Sequence, residues 1–469
     1  MSQKQEQFAT LLTSHRDGLY KQLVQMKEED ASRIGFSQEL GDLNFALSDI
    51  PQTYQRYQLM VEQIIDGMAQ GDAAFFKGAI DGLKADDIDT TMQQLMELEE
   101  KSEEQPLKSQ IAFIQGLVTE AVLHLSLALG HFERAIAQNP DELEWLHRAA
   151  ALASRLHQKE PSIQWAKQAV ELAKKAHGPQ SVEAAKQLNL LANCLGRTGE
   201  LAEATEQHKA IEEILKQQGG DEPLLMAETL TNLGQLYQKQ EMLEAAERSF
   251  NQALEIYRNQ PAASPLAMAS CLRGLGILSG RLERADQAEE NFIEALDLRK
   301  QALGEKHPEV GDLFNDLGVV YRHQQRFAEA VEMFRADMEI SRESLGERHP
   351  SIADSLLNIA GLYHQQGKLD ETEKTLIEAG ALYQATLGPG HPFVGQTLAQ
   401  LGELKLREMG DSEQGCRLLV LARDIYQKSL PAEHPEKMRL ELLVQQLCPE
   451  AAAEAEAAAA QQELNPDIP

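Results

Sequence analysis

The chain is poor in most of what β-structure, membranes and metal sites require. Aromatic residues make up 5% of its 469 residues, and no alternating run rich in Val, Ile and Thr occurs, so the material of half-buried strands is missing. No run of about 18 apolar residues exists to cross a bilayer. The start, Met1 to Gln7, lacks the apolar centre of a secretory signal. Cysteine is scarce: Cys194, Cys271, Cys416 and Cys448 stand far apart, with no C-x-x-C pair and no histidine at metal spacing. They are therefore expected to be reduced, mostly buried apolar residues in a cytoplasmic protein with neither metal nor cofactor. Cations are also short, at 44 Lys and Arg against 74 Asp and Glu, a formal charge of -30. Nucleic acid and anionic membrane are excluded as generic partners, because both demand a basic surface.

What is abundant is Ala, Leu, Glu and Gln, all good helix formers, and the class this predicts is all-α. A phrase then repeats: Leu303-Gly304-Glu305-Lys306-His307-Pro308 returns 42 residues later as Leu345-Gly346-Glu347-Arg348-His349-Pro350. A third copy runs from Leu387 to Pro392 and a worn fourth from Leu430 to Pro435. A fixed period of this size is the signature of a solenoid. Gly just past a helix end and Pro at the next helix start make the phrase a turn. Its histidines, His307, His349, His391 and His434, recur one repeat apart, too far to share a metal, and read as turn residues.

Residues 1–105 do not keep the repeat phase and read as a small helical domain. Phe8, Leu12, His15, Leu19, Leu23 and Met26 give one amphipathic helix, which packs on its own domain or, as a short coiled coil, pairs with another copy. Gly35, Gly41 and Pro51 interrupt the pattern before a second helix spanning Tyr54 to Met68, a short apolar face from Phe75 to Leu83 and an acidic helix up to Glu100.

Residues 106–434 read as helix-turn-helix pairs. Phe132 and Ala135 close the first pair, and Ala169 repeats the position 34 residues on; thereafter Ala149, Leu191, Leu233, Leu275, Leu317, Ile359 and Leu401 mark steps of 42. Small residues at Gly234, Gly276, Gly318, Ala360 and Gly402 let paired helices approach, and Phe250, Phe292 and Phe334 fill the gaps between pairs. Residues 435–460 read as a capping helix with an Ala/Glu-rich extension, and residues 461–469 as a frayed polar tail.

The offsets Leu233-Gly234-x-x-Tyr237, then Ala246, Phe250 and Ala253, resemble the tetratricopeptide repeat, and the 42-residue length with its Leu-Gly-x-x-His-Pro connector resembles the kinesin light chain type. The resemblance covers 177–434 well and 106–176 more weakly. It implies a right-handed α-solenoid whose first helices line a concave groove that holds an extended peptide or partner segment. The long heptad region of kinesin light chains is missing from residues 1–105, so the resemblance implies the repeat type rather than a motor subunit.

On that geometry, positions two before and two, five and six after the repeated Leu face the groove. The sixth-after row reads Arg197, Lys239, Arg281, His323, Gln365 and Arg407, with Asn189, Asn193, Gln235, Arg273 and Asn315 as further donors. These residues end their helices, where positive charge complements the helix dipole, and they also suit the carbonyls or acidic side chains of a bound peptide. Catalytic motifs are broken: Gly361 to Lys368 is one residue too long for a phosphate loop, and Gly274, Gly276 and Gly280 miss dinucleotide spacing. The expected function is a non-enzymatic scaffold or adaptor for a protein or peptide partner, acidic or extended, with self-association through the N-terminal helices open. The alternative is a peptide-sensing regulator whose solenoid changes shape to control an effector.

Overall fold

The computed structural model describes residues 2–25, 32–48, 50–219, 221–347, 349–431, 433–450 and 453. Among these residues are twenty-two helices and no strand. None of the described helices is long and apolar enough to cross a membrane. The chain divides into two compact units, Met1–Leu298 and Arg299–Pro469.

The first unit begins with α1 (Gln3–Gln25), α2 (Ser32–Ser48), α3 (Ile50–Asp72), α4 (Lys77–Lys84) and α5 (Ile88–Lys101). The stripe of α1 packs within its own chain: Phe8, Leu12 and Leu19 are buried in one cluster with Tyr54, Tyr57, Val61 and Ile64 of α3. The side chain of Leu23 and all of Met26 lie outside the described residues. Gly35 and Gly41 do not break the chain as expected, since α2 runs through both. A mid-helix glycine costs only about 1 kcal/mol. At Gly35 the packing requires it, because a Cβ there would stand 2.8 Å from the carbonyl oxygen of Leu156. Pro51 sits in the first turn of α3, where its missing N–H breaks no bond.

Repeat pairs follow: α6 (Gln105–Ala121) with α7 (Leu125–Gln138), α8 (Leu143–Arg155) with α9 (Lys159–His177), α10 (Val182–Arg197) with α11 (Leu201–Gln217), α12 (Pro223–Lys239) with α13 (Leu243–Arg258), and α14 (Pro265–Arg281) with α15 (Ala285–Leu303). The N-terminal helices share their core with this array, because Ile111, Ile114 and Val118 of α6 belong to the same buried cluster as Leu12 and Tyr57. The unit boundary falls inside α15. The second unit continues with α16 (Pro308–His323) and α17 (Phe327–Leu345), α18 (Pro350–Gln365) and α19 (Leu369–Leu387), α20 (Pro392–Arg407) and α21 (Ser412–Ser429), and closes with α22 (Pro435–Leu447).

The Gly–Phe pattern is a steric lock. A Cβ on Gly234 would meet the Phe250 ring at 2.7 Å, on Gly276 the Phe292 ring at 2.5 Å, and on Gly318 the Phe334 ring at 2.7 Å. Phe250 also lies against Gly274 of the next pair, where a Cβ would approach to 2.5 Å. Each ring thus needs a bare backbone in its own pair, and Phe250 needs a second one in its neighbour.

Two kinds of turn alternate. Between pairs, Gly178, Gly304, Gly346 and Gly388 take φ of 88–95°. The histidines at the next helix starts act as caps: Nδ1 of His307, His349 and His391 accepts the backbone N–H of Glu309, Ser351 and Phe393 at 3.1–3.3 Å. Within pairs, a left-handed residue recurs at His157, Gly199, Glu241, Glu283, Gln325 and Gly367, again every 42 residues, and at Gly410 after the one-residue insertion. The N–H that follows it reaches back to a helix carbonyl, as Arg284 does to Ser279 at 2.9 Å, closing the helix end.

At the end of the second unit, α22 buries Leu440, Leu443 and Val444 against Leu419, Val420 and Tyr426. Cysteine corrects the sequence reading here. Cys194 and Cys271 are free and buried, but Cys416 and Cys448 form a disulfide, with Cα atoms 5.4 Å apart. Their separation of 32 in sequence gave no pairing signal, because only the fold of α22 onto α21 brings them together. The Ala/Glu-rich extension apart from Ala453, and the tail of residues 461–469, lie outside the described residues.

Candidate functional site: a groove on the first helices of the second unit

In the second unit the first helices of successive pairs frame a cleft of about 750 Å³. Asp354, Asn358 and Gly361 of α18, and Gln396, Gln400, Glu403 and Arg407 of α20, line it. Their spacing, four and three residues on α18 and four, three and four on α20, puts each set on one helix face. Arg322 enters from the end of α16, and Arg439 of α22 contributes the far wall. Leu357, Ala360, Leu376 and Leu404 supply an apolar floor, and Phe393, 43% exposed, packs its ring 5.3 Å from that of Tyr383.

The acids of this cleft already have partners. Glu403 pairs with Arg439 at 3.0 Å and more loosely with Arg407 at 4.0 Å, and Glu408 meets His364 Nε2 at 2.6 Å. Asp354 accepts the Tyr383 hydroxyl, and burial together with that carboxylate pushes the phenol well above its usual range. The half-buried Arg322 guanidinium, by contrast, has no hydrogen-bond or ion-pair partner among the described residues. The cleft is lined by three arginines and three carboxylates, and Arg322 is the cation among them without a direct partner among the described residues.

The residues singled out from the sequence fall into three groups. Some are engaged between neighbouring helices: Asn189 donates to Glu228 at 2.8 Å, Asn193 accepts from Asn232 at 3.1 Å, and Asn315 accepts from Asn358 at 3.0 Å. Arg281 donates to the Gln238 carbonyl at 3.0 Å and pairs with Glu241 at 2.6 Å. Others stand at the surface: Arg197, Gln235 and Lys239 in the first unit, His323 and Gln365 in the second, with Arg273 half-buried on α14. Arg197 and Lys239 make no hydrogen bond or ion pair among the described residues. Arg407 lines the cleft directly.

Asp354, Asn358, Gln396 and Gln400 were missed because they stand five and one before the repeated Ile359 and Leu401. The 4-3-4 face that contains the second and sixth positions after it also contains these, so helix arithmetic could have found them. Arg439 carried no such signal, being outside the repeat phase. A second cleft, of about 560 Å³, opens in the first unit between α3, α6 and α8, beside the stacked rings of Phe113 and Trp145, but its Arg148 is bound by Glu120 at 2.9 Å.

Residues 183–259, 267–343, 315–371 and 351–432 match the family model of the tetratricopeptide repeat, together more than half of the chain. No curated protein matches the chain. Among solved structures, the apo form of the quorum sensor NprR from B. thuringiensis is 15% identical with a TM-score of 0.52, over 81% of this chain and 97% of that one. BtubC (BKLC) from P. vanneervenii is 20% identical with a TM-score of 0.43, over 50% of this chain and 95% of that one. The repeats of a putative kinesin light chain from Podosopora anserina are also 20% identical, with a TM-score of 0.39 over 44% and 98%. At these identities the likeness is one of fold.

Proposed function

Because this chain belongs to the tetratricopeptide repeat family, an interaction fold, we propose that it is a non-enzymatic adaptor that holds an extended, acidic peptide segment in the groove of its second unit. The observation that carries this reading is Arg322: a half-buried guanidinium without a partner among the described residues, in a cleft whose carboxylates are engaged. A ligand carboxylate supplies the missing partner, and charge-assisted bonds to Arg are the strong, directional kind. Asn358, Gln396 and Gln400 offer donors and acceptors to an extended backbone, which has no internal hydrogen bonds of its own. Phe393 gives an apolar side chain a surface. In a protein of net charge -30 an arginine without a direct partner also selects where an acidic segment can approach.

The test is a peptide array of extended segments with and without Asp and Glu, read with the full chain and with Arg322→Glu/Arg407→Glu. Acidic peptides should bind the native chain in a salt-sensitive way and lose at least tenfold in the variant, with the circular dichroism unchanged. Equal binding by both proteins would sink the reading. The rival role is a regulator whose shape change controls an effector, suggested by the name of one fold neighbour, the quorum sensor NprR. Small-angle scattering with a bound peptide separates the two, since an adaptor keeps its radius of gyration and a switch does not.

A further inference from the structure

We infer that Cys416 and Cys448 form a redox modification site, a latch whose thiol–disulfide exchange with a small thiol or a dithiol protein sets whether α22 is clamped as the end wall of the groove. The significance of that wall rests on the groove reading above; the latch itself does not.

The attachments of α22 are distributed along its length. At its start, Lys437 Nζ donates to the carbonyls of Gln427 at 3.0 Å and Leu430 at 3.1 Å. In its middle, Leu440 and Val444 are buried, and Arg439 reaches across to Glu403 of α20 at 3.0 Å. At its end, residues 445–447 are exposed, and the next buried residue is Cys448, which is bonded to Cys416 in the first half of α21. The covalent bond therefore holds the end of the helix that noncovalent contacts leave loose. A terminal segment with few buried contacts is the part of a fold that opens first.

The two sulfurs differ in access. Cys416 is half-buried, whereas Cys448 is 3% exposed. An incoming thiolate attacks Sγ of Cys416, the S–S bond breaks, and Cys448 leaves as a thiolate that takes up a proton. A second thiolate then attacks the sulfur of the first and releases Cys416 as a thiolate that takes up a proton, so that two thiols are oxidised to one disulfide while the protein disulfide is reduced to two thiols. Oxidation runs the same steps in reverse. The remaining cysteines provide internal controls, because burial pushes the thiol of Cys271 up to about 12 and raises that of Cys194, leaving both poor nucleophiles.

The latch is tested without any groove ligand, so its failure and that of the peptide reading are distinguishable. The full chain is equilibrated with oxidised glutathione or with dithiothreitol, alkylated, and mapped, and amide exchange is followed over residues 435–447. Oxidised protein should show Cys416 and Cys448 protected from alkylation and exchange in α22 at least tenfold slower than in reduced protein, with α18 unchanged. Cys448→Ser and Cys416→Ser should each exchange like reduced protein under both conditions. Alkylation of both cysteines after oxidation, or equal α22 exchange in the two redox states, would overturn the latch. Using both single variants guards against one of them failing to fold.

Discussion

Ser355 Oγ lies 2.7 Å from a carboxylate oxygen of Asp337 and 3.0 Å from the carbonyl of Ser351, in the seam between α17 and α18. One hydroxyl has one proton and cannot satisfy two acceptors together. The contact is complete when Asp337 is itself protonated, donating to Ser355 while Ser355 donates to Ser351. Burial favours that state first, and the nearby carboxylates of Asp312, Asp354 and Asp316 add to it, outweighing the Ser355 bond and raising the Asp337 pKa to about 6.

This gives a pH dependence of definite sign. The folded pKa lies above the ordinary 3.8, so between those values the folded chain binds more protons than the unfolded one. The stability that Asp337 contributes is present at low pH and is lost as pH rises through about 6. A shift of this size corresponds to something on the order of 2–3 kcal/mol. Asp337→Asn, which cannot ionise, should gain stability relative to the native chain as pH goes from 4 to 7. Urea unfolding of both proteins across that range checks it, and a constant difference would refute it.

Glu39 is a cap supplied from a distant helix. It is 1% exposed, and its carboxylate accepts from the backbone N–H groups of Leu125 and Ser126 at 2.9 and 3.1 Å, from Ser126 Oγ at 2.6 Å, and lies 2.9 Å from His15 Nε2. Burial by itself would raise the carboxyl, but these bonds together hold it below its usual value. The His15 ring stacks on His124, which burial pushes down to about 4 and so keeps neutral at pH 7. Glu39→Ala strands buried donors at the start of α7 and should cost about 2–4 kcal/mol at pH 7. Because the native carboxyl is depressed, its contribution is present above about 4.5 and vanishes as pH falls through the depressed value. Thermal melts of native and variant protein should therefore converge in acid; a gap that stays open would count against the cap.

The left-handed residues inside the pairs invite a third test. Glu283 and Gln325 hold φ of 58° and 60°, where Gly199 and Gly367 occupy the equivalent places without a side-chain penalty. Glu283→Gly and Gln325→Gly should each stabilise their unit by about 0.5–1 kcal/mol, since the relief of strain exceeds the entropy a glycine adds to the unfolded chain. Gly199→Ala should do the reverse by a similar amount. Denaturant midpoints of the three single variants decide it.

The repeat was legible because a fixed period imposes itself on many residues at once. The Leu, Gly, Ala and Phe offsets located both helices of a pair, and the Gly304 and His307 phrase located its turn. The second turn was not read, because its left-handed place is filled by His157, Glu241, Glu283 and Gln325 more often than by glycine. The path of α2 through Gly35 was hidden too, since only Leu156, far away in the chain, shows why a glycine is needed there. For the cleft, the sequence supplied Arg407 and half of the helix face that lines it.

By itself, then, the sequence determined the class, the period, the acidic surface and the first helices as the face to inspect, all of which are local or periodic properties written into neighbouring residues. Tertiary structure decided what depends on residues far apart: that Asn189, Asn193 and Arg281 are engaged between helices, that Arg322 has no partner among the described residues while Glu403 is shared with Arg439, that Glu39 caps α7, and that Cys416 meets Cys448. Periodicity fixes which way a side chain points along its own helix. What it meets there depends on how the next helix packs, and no single helix carries that information.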